Sequence, residues 1–253
     1  MMLGVADVVR RMERQLEELE AERDPGRFFL GTYLRTTRTM ATEIDAGTFE
    51  DGEWVTRWDV VFADFYLDAL GAHRRDPASA PPVWQKAFGA RADLPPEAHV
   101  LLGMNAHINV DLPQTLVAVI PPEDFADAEV MAGRRRDHCR IDDILADRIA
   151  EEDAELQRAG GRRTFFDKAV SPLNRRAARR MLKESRRSVW ANTAVLHAAR
   201  VDDDVCFTRR VADLQAAGCE RVSDLLRPGH VLMRLAVHGF GITLPADPPP
   251  PWD

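Results

Sequence analysis

The chain has 253 residues, with 34 Lys and Arg against 41 Asp and Glu, which gives a formal net charge of −7. Hydrophobic residues make up 45% of the chain and charged residues 30%. This is the composition of an ordinary globular protein, and it excludes collagen, a disulfide scaffold and a disordered tail. The length suits one or two domains of roughly 100–200 residues each.

Cysteine spacing and apolar runs indicate the compartment. The three cysteines, Cys139, Cys206 and Cys219, are far apart, with no C-x-x-C spacing, which excludes a zinc ribbon and a thioredoxin-like motif. The N-terminus becomes charged at once, unlike a signal peptide. The most apolar stretch, residues 98–120, is interrupted by Asn, His, Asp and Pro. We therefore expect a cytoplasmic protein without a membrane span, in which this stretch is a buried helix.

Apolar residues recur three and four positions apart along most of the chain, which is the period of amphipathic helices. In chain order, the predicted helices cover about residues 5–24, 29–44, 54–70, 83–92, 97–112, 123–157, 172–199, 203–217 and 230–238. Asp202-Asp203-Asp204 is interpreted as an acidic N-cap for the helix that follows it. Alternating strand patterns are nearly absent. We predict an all-α fold with a single helical domain over residues 1–244, built around a buried central helix, and a proline-rich tail over residues 245–253.

Two segments of opposite charge lie close together in the sequence. Residues 162–187 carry a net charge of +8, and residues 142–155 carry −6. A basic stripe can bind nucleic acid. However, no aromatic residues interleave with this stripe to stack on bases, and the acidic segment offers a partner. We therefore expect the two helices to pair with each other, and we expect no nucleic-acid partner.

The central helix, residues 97–112, is apolar on most sides but carries four polar residues: Asn105, His107, Asn109 and Asp111. Each buried polar group costs a few kcal/mol unless it is hydrogen-bonded. His107 and Asp111 are four residues apart and share one face of the helix, and the two asparagines share a roughly opposed face. Because Pro113 cannot donate to the Asn109 carbonyl, the helix can break there.

This pattern has three interpretations. His107 and Asp111 can be an acid–base pair in which the carboxylate orients the imidazole. They can instead supply two metal ligands, with further ligands from Asp59, Asp64, His73 or His197. Alternatively, the polar groups are satisfied internally and hold neighbouring helices together.

Residues 101–113 read L-L-G-M-N-A-H-I-N-V-D-L-P. This string resembles the hallmark of a bacterial family of unknown function that is common in actinobacteria. The stretch from Trp58 to Leu70 is similar to an earlier helix of that family. Trp84 and the pair Arg186 and Trp190 fit later segments. The resemblance covers about residues 30–200 and implies a helical fold of this length, but it implies no established activity.

We expect a pocket around the central helix, with His107 as the acid or base and Asp111 as its orienting group. The residues expected to bind the substrate are Asn105, Asn109, Asp59, Tyr66, Arg186 and Trp190. The predicted function is an enzyme that acts on a small, largely apolar molecule by hydrolysis, elimination or cyclisation. No cofactor and no membrane partner are expected, and a homo-oligomer is left open. The alternatives are a metal-dependent hydrolase with a divalent cation and a non-catalytic helical binding protein.

Overall fold

A computed structural model describes residues 4–158, 172–227 and 239–245, with only the backbone for residues 142, 145–158 and 172–183. The predicted helix 230–238 and residues 246–253 of the predicted tail lie outside these ranges. The described ranges contain nine α-helices and no strand, which confirms the all-α prediction. The helices are α1 (Val5–Ala21), α2 (Gly26–Asp45), α3 (Gly52–Arg75), α4 (Pro82–Phe88), α5 (Pro96–Met104), α6 (Leu112–Val119), α7 (Ala128–Arg158), α8 (Pro172–Asp202) and α9 (Asp204–Leu226).

Aspartate side chains cap the N-termini of two long helices. The Asp51 carboxylate accepts a hydrogen bond from the Trp54 amide at the start of α3, with an O–N distance of 2.9 Å. Asp203 accepts from the Cys206 amide at the start of α9, at 2.7 Å. Such caps satisfy amides that have no partner within the helix. The interpretation of the three consecutive aspartates as an N-cap is confirmed.

The central helix changes its geometry near Pro113 but does not break there. Helices α5 and α6 are joined by a π-helical segment, Asn105–Asp111, in which the Leu112 amide donates to the His107 carbonyl. Pro113 lies in the first turn of α6, where a missing N–H is tolerated. Of the two roles that the sequence allows for Pro113, to break a helix or to begin one, the structure shows the second, because α6 begins at Leu112 after the π segment.

Side chains satisfy two backbone carbonyls where the π segment meets α6. The Gln114 side-chain amide donates to the Val110 carbonyl at 2.8 Å, and the Thr115 hydroxyl donates to the Asp111 carbonyl at 2.9 Å. Unpaired buried carbonyls are costly. These two bonds therefore stabilise a helical geometry that is otherwise rare.

The core has two regions, and the central helix contributes residues to both. The first core region holds Tyr66 and Trp84 and involves α1 to α6, α8 and α9. The second core region holds Trp54, Trp58 and Phe125 and is completed by α7 and α8. Helices α7 and α8 contact each other, but most of the charged side chains of the predicted acidic and basic segments lie outside the described residues. Over the described ranges, no helix is both long enough and apolar enough to cross a membrane.

Helix α9 extends past its predicted end and continues through Gly218. Because this residue has no side chain, α9 can approach the π segment closely there. A Cβ atom at Gly218 would lie 2.6 Å from Val110 Cγ2 and 3.0 Å from Val83 Cγ2. The Gly218 carbonyl also accepts a hydrogen bond from the Asn105 side chain at 3.1 Å. An added methyl group therefore has to displace two β-branched side chains.

We expect Gly218→Ala to lower the free energy of unfolding by about 1–3 kcal/mol, the usual effect of overpacking a tight core. Urea denaturation measures the change. Gly71→Ala is the matched control, since a Cβ there meets only the Arg75 guanidinium, at 3.5 Å. Within α3, this control should hold or raise stability, because alanine favours helix more than glycine does. Equal stability of Gly218→Ala and the unaltered protein would contradict the expected close packing.

Candidate functional site

The π segment places His107 and Asp111 in direct contact inside the protein. His107 Nδ1 lies 3.0 Å from Asp111 Oδ2, and Trp84 Nε1 donates to the same oxygen at 2.9 Å. His107 is 3% exposed and Asp111 is 1% exposed. The predicted contact between the two residues is present, and Trp84 of α4 adds a second donor to the carboxylate.

Burial controls the ionisation of this pair. It lowers the pKa of His107, although the hydrogen bond to Asp111 opposes the shift. It raises the pKa of Asp111, against the bonds from His107 and Trp84. Because an indole N–H can only donate, we assign Asp111 Oδ2 as the acceptor of both bonds. The imidazole is then neutral, with its proton on Nδ1 and a lone pair on Nε2.

Aromatic rings enclose the imidazole on several sides. Phe62 stacks on His107 with a centroid distance of 3.6 Å and an interplanar angle of 5°. The Tyr33 ring lies edge-on at 4.5 Å. Phe29, Tyr66 and Trp84 follow at 5.9, 6.1 and 6.2 Å. We call these five rings the aromatic cage. They keep His107 in an apolar environment, which favours its neutral form.

Two rings of the aromatic cage, His107 itself and further residues of α2 and α3 carry buried polar atoms without partners. These atoms are Tyr33 OH, Tyr66 OH, His107 Nε2, Thr37 Oγ1 and Asp59 Oδ2. Buried polar atoms are normally paired, so each unpaired one calls for an explanation. Burial raises the pKa of Asp59 to about 7. It also raises the pKa of Tyr33, with a further contribution from the Asp59 charge.

The two asparagines of the π segment bind backbone groups elsewhere. Besides the Asn105 bond to the Gly218 carbonyl, the Asn109 amide donates to Asn105 Oδ1 at 3.0 Å and to the Phe240 carbonyl at 2.9 Å. They therefore join the π segment to α9 and to residues 239–245. The structure does not place these amide donors beside His107, although Asn109 Oδ1 is buried without a partner.

Arg186 and Trp190 surround a different histidine. Arg186 NH1 donates to His138 Nε2 at 2.8 Å. The His138 ring stacks on Trp58 at 5.2 Å and meets Trp190 edge-on, also at 5.2 Å. Burial and the Arg186 charge hold the pKa of His138 well below its usual range. These contacts join Arg186 and Trp190 to the second core region rather than to the aromatic cage.

The residues considered as further metal ligands lie apart. Asp64 pairs with Arg11 at 2.5 Å, and His197 stacks on Phe125 at 3.7 Å. His73 packs beside Phe88 at 4.9 Å. In the part of the chain that the structure describes, no group of three or more His, Cys, Asp or Glu side chains is arranged to hold a metal ion.

Sequence reasoning did not assign Tyr33, Phe62 or Trp84 to the site. Tyr33 belongs to the apolar stripe of α2, and Phe62 to that of α3, so each resembles an ordinary core residue. For Trp84, the only indication in the sequence is the family resemblance. A tryptophan in a core-facing helix next to a buried carboxylate is a usable signal, because its N–H needs an acceptor.

The comparison with protein families identifies the chain. The sequence pattern of a family of unknown function, DUF5995, matches residues 5–228. The chain belongs to the DUF5995 family. The match extends beyond the resemblance seen over about residues 30–200 and includes every residue of the aromatic cage. No curated protein and no solved structure matches this DUF5995 chain significantly.

Proposed function

We propose that the protein is an enzyme that acts on a small, largely apolar molecule, with His107 and Asp111 as its acid–base pair. One observation carries the proposal: His107 Nδ1 is held by Asp111, while His107 Nε2 is buried without a partner. In this arrangement the carboxylate fixes the tautomer, and the opposite nitrogen is left to exchange a proton with a substrate.

The surroundings favour a largely apolar substrate. The aromatic cage supplies apolar surface, and the unpartnered hydroxyls of Tyr33 and Tyr66 supply a few hydrogen-bonding groups. Small-molecule sites combine these same elements. The neutral imidazole acts as a base in the forward step and returns the proton in a later step. Hydrolysis, elimination and cyclisation all fit this role.

The experiment is a turnover screen with small apolar esters, lactones, epoxides and alkyl halides. We expect turnover of at least one class, and a fall of about 10²–10⁴-fold in kcat/KM for His107→Gln, the usual contribution of a general base. His197→Gln is the matched control, since His197 is also a largely buried histidine with a pKa lowered by burial. Turnover that survives His107→Gln unchanged would contradict the proposal.

The enclosure of His107 favours a second candidate, a non-catalytic helical protein that binds a small molecule. Phe62 covers one face of the ring, and little of its surface reaches solvent. In that case the screen finds no turnover with any class, although ligands still bind. The proposed partner in both cases is a small molecule, with no nucleic acid or membrane involved.

A further inference from the structure

A seven-residue segment that follows α9 in the chain lies extended against the helices. Residues 239–245 form neither helix nor strand, and they contact α8, α9 and the π segment. Phe240, Ile242 and Leu244 are buried, whereas Thr243 between them is exposed. This alternation is typical of an extended chain in which every second side chain enters a groove. We call residues 239–245 the docked segment, and the groove between α8, α9 and the π segment the peptide groove.

Asn192 of α8 binds the backbone of the docked segment at two points. Its side-chain NH₂ group donates to the Ile242 carbonyl at 2.8 Å, and its Oδ1 atom accepts from the Leu244 amide, also at 2.8 Å. A neighbouring strand would bind the same carbonyl and the same amide of an extended peptide. Asn192 therefore recognises an extended backbone whatever its side chains are.

Two further side chains bind the other carbonyls of the docked segment. Arg221 of α9 donates to the Gly239 and Gly241 carbonyls at 2.9 and 3.3 Å. Asn109 of the π segment donates to the Phe240 carbonyl at 2.9 Å. Among the described residues, the docked segment makes no backbone–backbone hydrogen bond with the helices. It is therefore held as a bound peptide is held, by side chains from three different elements.

The peptide groove has no room for a side chain at the position of Gly241. A Cβ atom there would lie 2.6 Å from Ser188 Oγ and 3.2 Å from Ser185 Cα, so the backbone of this glycine lies directly on α8. The side chains on either side of it, Phe240 and Ile242, are only 2% and 7% exposed. The peptide groove thus selects a glycine between two apolar residues, in addition to an extended backbone.

The DUF5995 pattern includes the peptide groove but not its occupant. The match ends at residue 228, so it contains Asn109, Asn192 and Arg221, while the docked segment lies beyond it. Among the described residues, Asn192 makes both of its side-chain hydrogen bonds to the docked segment. It is 1% exposed, and a buried amide without partners is costly. The family's domain therefore contains a buried polar group that needs an occupant in the groove.

We propose that the peptide groove is a peptide-binding site of the DUF5995 domain, and that residues 239–245 occupy it as a built-in ligand. The ligand class is an uncharged, extended peptide with apolar side chains at alternate positions and a glycine after the first of them. Asn109, Asn192 and Arg221 recognise its backbone. The site needs no chemistry at the His107–Asp111 pair, so this proposal does not rest on the proposed function.

The test uses the full chain with the docked segment displaced. In Gly241→Val, the added side chain collides with Ser188 and with the backbone of α8, so the segment leaves a groove that is itself unaltered. The probe is a synthetic peptide of residues 239–245, capped at both ends, with a fluorophore beyond the exposed Pro245. We expect fluorescence anisotropy to show saturable binding to Gly241→Val. The unaltered protein should bind the probe at least about tenfold more weakly, because tethering gives its own segment an effective concentration of order millimolar.

Thr243→Val is the matched control, because it places the same side chain at an exposed position of the docked segment. It should bind the probe as weakly as the unaltered protein does. A probe with an ester oxygen in place of the Leu244 N–H loses only the group that Asn192 accepts. It should bind Gly241→Val about three- to tenfold more weakly, the value of one neutral hydrogen bond. When Asn192→Ala is added to Gly241→Val, the two probes should bind equally.

Ile242→Asp displaces the docked segment by a different route, because an unpaired buried charge is costly, so the test does not depend on one substitution. Circular dichroism and size-exclusion chromatography establish the fold and the oligomeric state. Three outcomes would overturn the proposal. If neither variant folds, the docked segment is an integral part of the core. If both fold and neither binds the probe, the groove is not a binding site. If the unaltered protein is a dimer that the probe dissociates, the segment binds a second copy and is not a ligand of its own chain.

Discussion

Asp59→Asn is expected to stabilise the protein at pH 8 by about 2 kcal/mol, and by at most about 4 kcal/mol. Burial raises the pKa of the Asp59 carboxyl from 3.8 to about 7, and its Oδ2 atom has no partner. The folded protein thus binds this proton more tightly than the unfolded chain does. Stability falls as the pH rises between these two pKa values, and the loss is complete above the higher one. The partial exposure of Asp59 places the expected gain below the upper figure.

Urea denaturation of both proteins at pH 5 and pH 8 measures this effect. The gain in the free energy of unfolding should be large at pH 8. It should be smaller at pH 5, because part of the destabilisation by the Asp59 carboxylate is absent there. Histidines with lowered pKa values, such as His99 and His138, give stability the opposite slope below pH 6.5. They are present in both proteins, so their contribution cancels in the difference.

Asp64→Asn is the control on the same helix. Asp64 forms an ion pair with Arg11, and each of the two side chains is about one-third exposed. Such ion pairs contribute about 0–1 kcal/mol to the stability of the folded state. This change should leave stability equal or slightly lower at both pH values. If Asp59→Asn is less stable than the unaltered protein at pH 8, the Asp59 carboxylate has a partner in solution and is not an unpaired buried group.

Hydrophobic periodicity predicts most of the helices, because each helix can be recognised from the spacing of apolar residues within its own segment. The apolar stripes of α1, α2 and α3 repeat with the helical period, and Asp203 identifies the start of α9 by the chemistry of its side chain. The predicted ends of α3 and α9 fall too early, next to Gly71 and Gly218, because a glycine inside a helix costs only about 1 kcal/mol. Tertiary contacts offset that cost, and at Gly218 the missing Cβ is itself required by Val110.

The π segment could not be read from the sequence. A π turn differs from an α turn by one residue in its hydrogen-bond register, and no residue type specifies that shift. Pro113 indicated an irregularity but not its form. The spacing of His107 and Asp111 was enough to predict their contact, because residues four apart adjoin in both geometries.

The partners of Arg186 and Trp190 depend on long-range packing. Both residues suit a polar pocket, and nothing near them in the sequence distinguishes the first core region from the second. Both residues lie in the second core region, because His138 of α7 accepts a hydrogen bond from Arg186 and packs against Trp190. The sequence does not single out Tyr33 either, because a buried tyrosine on a helical stripe has the same pattern as any other core residue.

Asp111→Asn should separate the catalytic role of the pair from its structural role. Because Asp111 Oδ2 accepts from both Trp84 and His107, the asparagine oxygen that takes its place can still accept both N–H groups, but it carries no negative charge. The imidazole therefore keeps its proton on Nδ1, while the variant lacks the carboxylate charge that stabilises the imidazolium formed when Nε2 takes up a proton. We expect ¹⁵N NMR of the histidines to show His107 neutral and protonated on Nδ1 in both proteins. For a substrate found in the turnover screen, kcat/KM should fall by about 10²–10⁴-fold.

Stability should change little in the same variant, by about 1 kcal/mol or less, because the substitution keeps the side-chain size and removes a buried charge. Asp137→Asn is the matched control. Asp137 is as deeply buried as Asp111, but it accepts the Glu50 and Asp51 amides at 2.8 and 3.0 Å and pairs with Arg140. Its loss should cost about 1.5–3 kcal/mol and leave both the His107 tautomer and turnover unchanged. An Asp111→Asn protein that loses this much stability while its turnover is retained would make the His107–Asp111 pair a structural element of the core.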